Sequence, residues 1–513
     1  MVSKTAKIIA FFLILGLITP SGVLAQENPW MITVFNNVSD IPEEPNPDLE
    51  FNGITIIHVA RFVFMPENRI KPLDFKDEFT VESVKKNQAD FKDELKDELK
   101  AGRIDEWDYY YLNENITFKE YPDKIDEEIF FNPFLDRHPF MRLELNPIEF
   151  EIFAPNNLAM TGKIRVHATI FKNGFCLISL VFPIVTKELK DKYKLKGDFL
   201  VADKPLKPDD VVSITEFRTD EWIIKYSLNE VKMTLSDISI SRQMYLEHVF
   251  FFESKDTKIC AWSPTYCIYS WNTSKTVGKG NSTELLKENP WDIEEIMHTS
   301  EGYSTLKTRI FSMFSEVYAT YSSFHIFSDT GHFTHDVPEP MTHRTMIEEY
   351  GYEPYDIRLA EVVFLQEYML TTYNDFVTEK LEELGRKNES EYQDVVKEIA
   401  RFRKEISIAL DEFYLIEDSL RYHEHRYLVR YGKQKRNLDF MHEILRVKME
   451  DLSKISVDMN NVIMQENNAV IQQRIELLTS LGILLAFCLF FGNMYSEEIK
   501  TKLRRLRERK AKK

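Results

Sequence analysis

Residues 477 to 494 contain no Asp, Glu, Lys, Arg or His, and Leu481, Ile483, Leu484, Leu485, Phe487, Leu489, Phe490 and Phe491 leave no polar face. A helix rises about 1.5 Å per residue and the hydrocarbon core of a bilayer is about 30 Å thick, so a span takes roughly 20 apolar residues. The run from Leu477 to Met494 meets the lower limit once Tyr495 is placed at the interface. A helix apolar on every side has no face to give to water, which predicts a transmembrane helix over 477–495. The tail that follows, 496–513, is basic: residues 500 to 513 hold nine Lys or Arg and one Glu. The positive-inside rule then puts the C-terminus in the cytoplasm.

The other end agrees. Lys4 and Lys7 precede an apolar run from Ile8 to Ile18, and Ser21-Gly22-Val23-Leu24-Ala25 offers small residues before Gln26. This pattern predicts a secretory signal peptide over 1–25. The expected topology is a single pass, with the large N-terminal part outside the cell or in a lumen and a short cytoplasmic tail.

Charge narrows the partners. The chain carries −18; setting aside +8 on residues 500–513 and +2 on residues 1–25 leaves −28 on residues 26–499. So acidic a surface repels phosphate backbones, which excludes nucleic acid as an expected ligand. The basic tail is suited to anionic membrane lipids, at about 1 kcal/mol per near-surface charge.

Some ~450 exported residues suggest two to four domains. The expected organisation is an α+β first part over 26–190, a β-rich second part over 191–300, a helix with a His- and Pro-rich loop over 301–355, and a helical stalk over 356–476. The fold class is α+β with mostly antiparallel strands. Ile54 to Met65 reads as a strand, residues 72 to 101 as a charged helix, and Lys163 to Phe171 with Phe175 to Ile184 as a hairpin about Asn173-Gly174. In the second part, Val211 to Phe217, Trp222 to Leu235, Val249 to Glu253 and Ile259 to Trp271 read as strands. Residues 290 to 326 turn helical in pattern.

Cysteine usage is sparse, with four in the chain. Cys260 and Cys267 lie symmetrically about Ser263-Pro264, so a turn there would face them across a hairpin. In an oxidising compartment that predicts a disulfide. Asn37, Asn115, Asn272, Asn281 and Asn388 begin N-x-S/T triplets, candidate glycosylation sites on an exported surface.

Beyond Tyr355 the pattern is helical, and Gly385 and Gly432 divide it into three helices. Ile399, Phe402, Ile406, Ala409, Phe413, Ile416 and Leu420 keep a three-four spacing, continued by His423 and Tyr427. Leu438, Met441, Leu445, Lys448, Leu452, Ile455, Met459, Val462, Glu466, Ala469 and Gln473 keep it again. A 3.5-residue period predicts coiled-coil packing, between these helices or with sister subunits, which makes a homo-oligomer the expected state. The third helix would run about 65 Å from Gly432 to the membrane. A polar joint between Glu466 and Glu476 precedes the span.

For chemistry, the loop expected over 328–343 offers Asp329, His332, His335, Asp336, Glu339 and His343. Imidazoles and carboxylates on one loop suit a divalent metal such as Zn²⁺, with His332, His335, Asp336 and His343 as the ligand set. No catalytic motif accompanies it. There is no G-x-S-x-G elbow, and Gly278-Lys279-Gly280-Asn281-Ser282-Thr283 lacks the glycine spacing of a P-loop. The expected function is therefore a membrane-anchored interaction or structural module whose partner binds through the exported part or the stalk. The alternatives are a membrane-tethered metal-dependent hydrolase using residues 329–343, and a subunit of a channel or transporter.

Overall fold

The computed structural model describes residues 30–510 apart from 44–45, 47–48, 64–72, 74–79, 105–116, 119–122, 155–157, 217–221, 227–228, 232–241, 243–244, 247–264, 274–281, 299–306, 320–322, 329–330, 337–343, 351, 353, 385 and 388–390. The expected signal peptide lies outside the described residues, as do Cys260, Asn115, Asn281, His343 and Asn388.

The strands are β1 (Met31–Ile32), β2 (Phe51–Val63), β3 (Thr117–Phe118), β4 (Phe140–Ala154), β5 (Leu158–Phe171), β6 (Phe175–Thr186), β7 (Leu200–Ala202), β8 (Trp222–Tyr226), β9 (Asn229–Val231), β10 (Thr265–Thr273), β11 (Val317–Ala319), β12 (Ser323–Phe327) and β13 (Gly331–Asp336). The helices are α1 (Val81–Lys100), α2 (Lys124–Ile129), α3 (Asn132–Leu135), α4 (Lys187–Tyr193), α5 (Pro208–Glu216), α6 (Ser282–Glu288), α7 (Pro290–His298), α8 (Lys307–Phe314), α9 (Arg344–Tyr350), α10 (Pro354–Leu384), α11 (Tyr392–Asp418), α12 (His423–Lys435) and α13 (Leu438–Lys510). Two compact units result: an α/β unit of residues 1–373 and 405–443, and a helical unit of residues 374–404 and 444–513. The division falls inside α10, α11 and α13.

In the α/β unit one mixed sheet runs β1-β11-β12-β13-β10-β2-β6-β7-β5-β4-β8-β9, with β3 paired to β4 and β5 also paired to β6. Strands from 26–190, 191–300 and 301–355 all join it. Only the β10–β13 and β6–β7 pairings are parallel among the described strands. The centre is β2, which pairs with β6 from Gly53 opposite Val185 to Val63 opposite Phe175, and with β10 on its other edge.

Period-two alternation decides what each face of the sheet holds. Ile54, Ile56, Cys176, Ile178, Leu180, Phe182, Ile268, Ile326 and Phe333 enter one hydrophobic core with Val84, Phe91 and Leu95 of α1. Those three helix residues repeat at seven and four, the spacing that puts side chains on one stripe, and each buried large side chain is worth about 2 kcal/mol. The Thr80 hydroxyl starts α1 by accepting from the Ser83 N–H at 3.2 Å.

The opposite face carries Arg61, Cys267, His325 and His332 among buried apolar side chains such as Ile57, Val59 and Leu177, and is covered by α10 and α12. Arg61 of β2 bonds Glu367, Phe175 of β6 packs on Tyr368 and Tyr373, and Phe327 of β12 packs on Phe364 and Tyr431. The candidate site lies on this second face, where β10, β12 and β13 meet α10.

Several local expectations are corrected. The 171–175 turn is a hairpin, but only Gly174 has positive φ, at 86°; the Gly174 N–H donates to Phe171 O at 2.9 Å, so a three-residue loop replaces the two-residue form. Of the strand expected over Val211 to Phe217, the described residues, which end at Glu216, are helical. Pro208, the first-turn acids Asp209 and Asp210, and buried Val211 and Ile214 three apart make it the helix α5. The helical pattern of 290–326 stops at Phe314, after which β11 and β12 begin.

Gly432 lies inside α12 rather than ending a helix. A Cβ there would come within 2.8 Å of Val363 Cγ2 and 3.1 Å of Phe327 Cζ, so the glycine permits close packing. The break falls at Asn437, whose φ of 55° is left-handed, and another separates α11 from α12 at Ser419–Tyr422. Four described helices therefore replace the expected three.

In the helical unit Leu445, Leu452 and Met459 of α13 are buried at intervals of seven, as are Val377 and Leu384 of α10, while Val395 and Ile399 of α11 are buried four apart. Lys448, the first polar member of the seam, is satisfied: its Nζ donates to Asn374 O at 3.2 Å and Thr378 Oγ1 at 2.7 Å. Lys380 pairs with both Glu383 and Glu398. One described helix is long and apolar enough to cross a membrane. It is α13, whose most apolar stretch has a mean hydropathy of 2.1 and no burial within the chain.

Candidate functional site

Three short strands and the helix α10 put four polar side chains in line on the face that α10 and α12 cover. Cys267 of β10 and His332 of β13 are register partners on parallel strands. Cys267 Sγ lies 3.1 Å from His332 Nδ1, and His332 Nε2 lies 3.2 Å from His325 Nδ1 on β12. The line ends at α10, where Asp356 Oδ2 is 3.5 Å from His325 Nε2. Cys267, His332 and His325 are fully buried, while the Asp356 side chain is 22% exposed.

Packing fixes the rings. Phe327, directly across from His332, stacks on it at 4.1 Å between centroids, and the two imidazoles are within 7° of parallel. Tyr318 of β11 leans on His325 and donates its hydroxyl to Glu424 O at 3.0 Å.

One tautomer assignment satisfies every contact. The Asp356 carboxylate requires a proton on His325 Nε2. His325 Nδ1 then accepts from His332 Nε2–H, and His332 Nδ1 accepts from the Cys267 thiol. The energetics agree with a neutral line. Burial lowers His325, partly offset by Asp356; burial, then the nearby His325 and Arg436, push His332 well below the usual range. Burial pushes the Cys267 thiol well up, with Glu361 and Asp356 adding to it. The thiol is thus protonated and enclosed, the opposite of an activated nucleophile. Chemically the line is a proton-ordered pair of hydrogen bonds from His325 through His332 to an interior thiol, with the Asp356 carboxylate 3.5 Å from the outer imidazole.

Two charged clusters flank it on α10. Arg358 bonds Asp123 at 2.6 Å and Asp126 at 2.8 Å, and Arg142 of β4 bonds Asp126 at 3.1 Å and Glu361 at 3.0 Å. Burial raises the Asp123 carboxyl, but the hydrogen bond and charge of Arg358 outweigh it and hold it at about 2. Further along, Glu367 joins Arg61 at 3.2 Å to Arg436 at 2.7 Å.

The expected metal loop is reorganised. His332, His335 and Asp336 belong to strand β13, not to a surface loop, because Gly331 to Asp336 pairs with both β12 and β10. His332 and Asp336 share the face covered by α10, and Tyr269 donates to Asp336 Oδ2 at 3.2 Å. His335, three residues from His332, turns to the apolar face, where Nδ1 lies 3.1 Å from Ser270 Oγ and the ring packs on Phe324. The strand therefore separates the two histidines that the metal set required together. Among the described residues no group of three His, Cys, Asp or Glu side chains converges on a metal position.

The hairpin expected to join Cys260 to Cys267 is not the pairing β10 makes. Its neighbours are β2 and β13, so Cys267 faces Ile57 and His332 and remains a free thiol. Asn272, on the same central strand, is buried, whereas Asn37 is exposed beside a short helical turn. His423, expected on a packed seam, is exposed at the start of α12; His425 packs edge-on against Tyr422. His325 and Asp356 had no sequence expectation attached. Comparison of the chain with protein-family models, with curated proteins and with solved structures finds no match.

Proposed function

We propose that this chain is a single-pass membrane protein that presents its α/β unit at the cell surface or in a lumen as a protein-interaction module. In this reading 356–476 forms an oligomerising, coiled-coil-like stalk, and the basic tail lies in the cytoplasm against anionic lipids. The observation that carries it is α13: seven-residue burial at Leu445, Leu452 and Met459 gives way to Leu477–Met494, whose large side chains are exposed, Leu484 by 63% and Phe487 by 58%. Exposed apolar surface of that length is stable only in lipid or against other copies.

The thiol and imidazoles of the Cys267 line are neutral and enclosed, so they supply no activated nucleophile. The metal-hydrolase alternative loses support from the opposed faces of His332 and His335.

Protease protection tests the orientation: with protease on the exported side, in intact cells or in inverted sealed vesicles from a luminal membrane, an epitope after Lys513 should be shielded and the α/β unit digested. Oxidative cross-linking through Cys488 of the full chain should give disulfide-linked dimers, one bond per pair of chains. A digested epitope sinks the topology, and monomers alone sink the oligomeric stalk.

A further inference from the structure

A cavity of about 320 Å³ opens in the α/β unit where the β5–β6 turn meets α3 and the C-terminal half of α11. Its walls are apolar, from Phe134, Phe171, Ile408 and Leu415. Ile408, Asp411 and Leu415 fall at i, i+3 and i+7, so one face of α11 supplies that wall. The volume equals about ten waters, at roughly 30 Å³ each, enough for an aryl or short acyl body.

Its polar groups have one sense. Arg137 and Lys172 both line the cavity, and among the described residues neither forms an ion pair. Asn173, 5% exposed, also lines it; Oδ1 accepts from the Phe175 N–H, while Nδ2 donates to the thioether of Met369, a weak acceptor, leaving its second N–H for a stronger one. Asp411 is the single carboxylate in the lining, so two cations against one anion leave an excess of one positive charge.

We infer that this cavity binds a monoanionic amphiphile, an organic carboxylate with an apolar body of about ten heavy atoms. The apolar body fills the pocket, and the carboxylate accepts from Asn173 Nδ2 and meets Arg137 and Lys172 at the rim.

The test uses the full chain in lipid nanodiscs, with empty nanodiscs as reference, and three probes of one shape: 4-phenylbutyrate, 4-phenylbutanol and 4-phenylbutylamine, titrated calorimetrically. The acid is expected to bind at least tenfold more tightly than the amine, with the alcohol between. The double change Arg137→Gln and Lys172→Gln should remove the acid's advantage, Asp411→Asn should strengthen acid binding severalfold, and Ile408→Trp, at a half-exposed wall position, should weaken all three. The charge variants sit at the surface, and circular dichroism confirms their fold. Absent acid binding to the native chain, or acid binding unmoved by the charge variants, overturns the inference.

Discussion

Cys267 Sγ and His332 Nδ1 lie 3.1 Å apart because the two residues are register partners on adjacent parallel strands. Replacing His332 with Ala leaves the thiol and His325 Nδ1 without their partners and removes the ring stacked on Phe327. A cost of about 3 kcal/mol is expected, from a cavity plus stranded polar groups. Denaturant unfolding of the full chain measures it.

The same enclosure governs reactivity. Cys176 and Cys267 are buried free thiols, so alkylation of the native chain should be about a thousandfold slower there than after denaturation. Peptide mass spectrometry without reductant reads both sites. Rapid native labelling of Cys267, or a Cys267 disulfide, contradicts the packing.

Acid should destabilise the α/β unit. Burial lowers His58 to about 3 and His335 to about 4, with His325 and His332 shifted the same way. The unfolded chain takes up these protons near pH 6.5, the folded chain only well below that. Stability is therefore complete above about pH 7 and falls as pH drops through 6.5 toward 4. Between pH 7 and 5 the loss is about 2 kcal/mol for each histidine held neutral. Unfolding midpoints at both pH values check the sign, and His335→Phe should flatten the dependence.

Glu367 holds two guanidiniums, Arg61 and Arg436, where Arg436 is 3% exposed and also donates to Ser328 O at 2.6 Å. Glu367→Gln leaves a buried excess of positive charge and should cost about 3 kcal/mol. A double mutant that also removes Arg61 should cost less than the sum of the single changes.

Gly432→Ala tests the close approach of α12 to the sheet. Alanine gains about 1 kcal/mol of helix propensity, yet its methyl would meet Val363 and Phe327 inside normal contact distance. Overpacking costs about 1 to 3 kcal/mol, so a net loss is expected. A gain in thermal stability would show that the helix can shift outward.

What the sequence conveyed depended on whether the signal was local. The β5–β6 hairpin, α1 and the 477–494 run were each legible because turn chemistry, a seven-four stripe and unbroken apolarity act within one segment. β13 was not, since His332 and His335 are polar on both faces and resemble a solvated loop; only pairing with β10 and β12 makes them interior. His325 and Asp356 needed four elements to meet before their roles emerged. A short hairpin signal did exist there, in two alternating runs about Thr330-Gly331. Gly432 misled for a different reason, since a glycine needed for contact looks the same as one that ends a helix.

A membrane-anchored chain requires Leu477–Met494 to lie in a bilayer. Alkaline carbonate extraction of membranes carrying the full chain, beside a Leu484→Arg, Phe487→Arg variant, is the most direct measurement. Each arginine at mid-span costs about 3 kcal/mol of insertion. The native chain should stay in the membrane pellet and the variant should be released. A native chain recovered in the alkaline supernatant would contradict membrane anchoring.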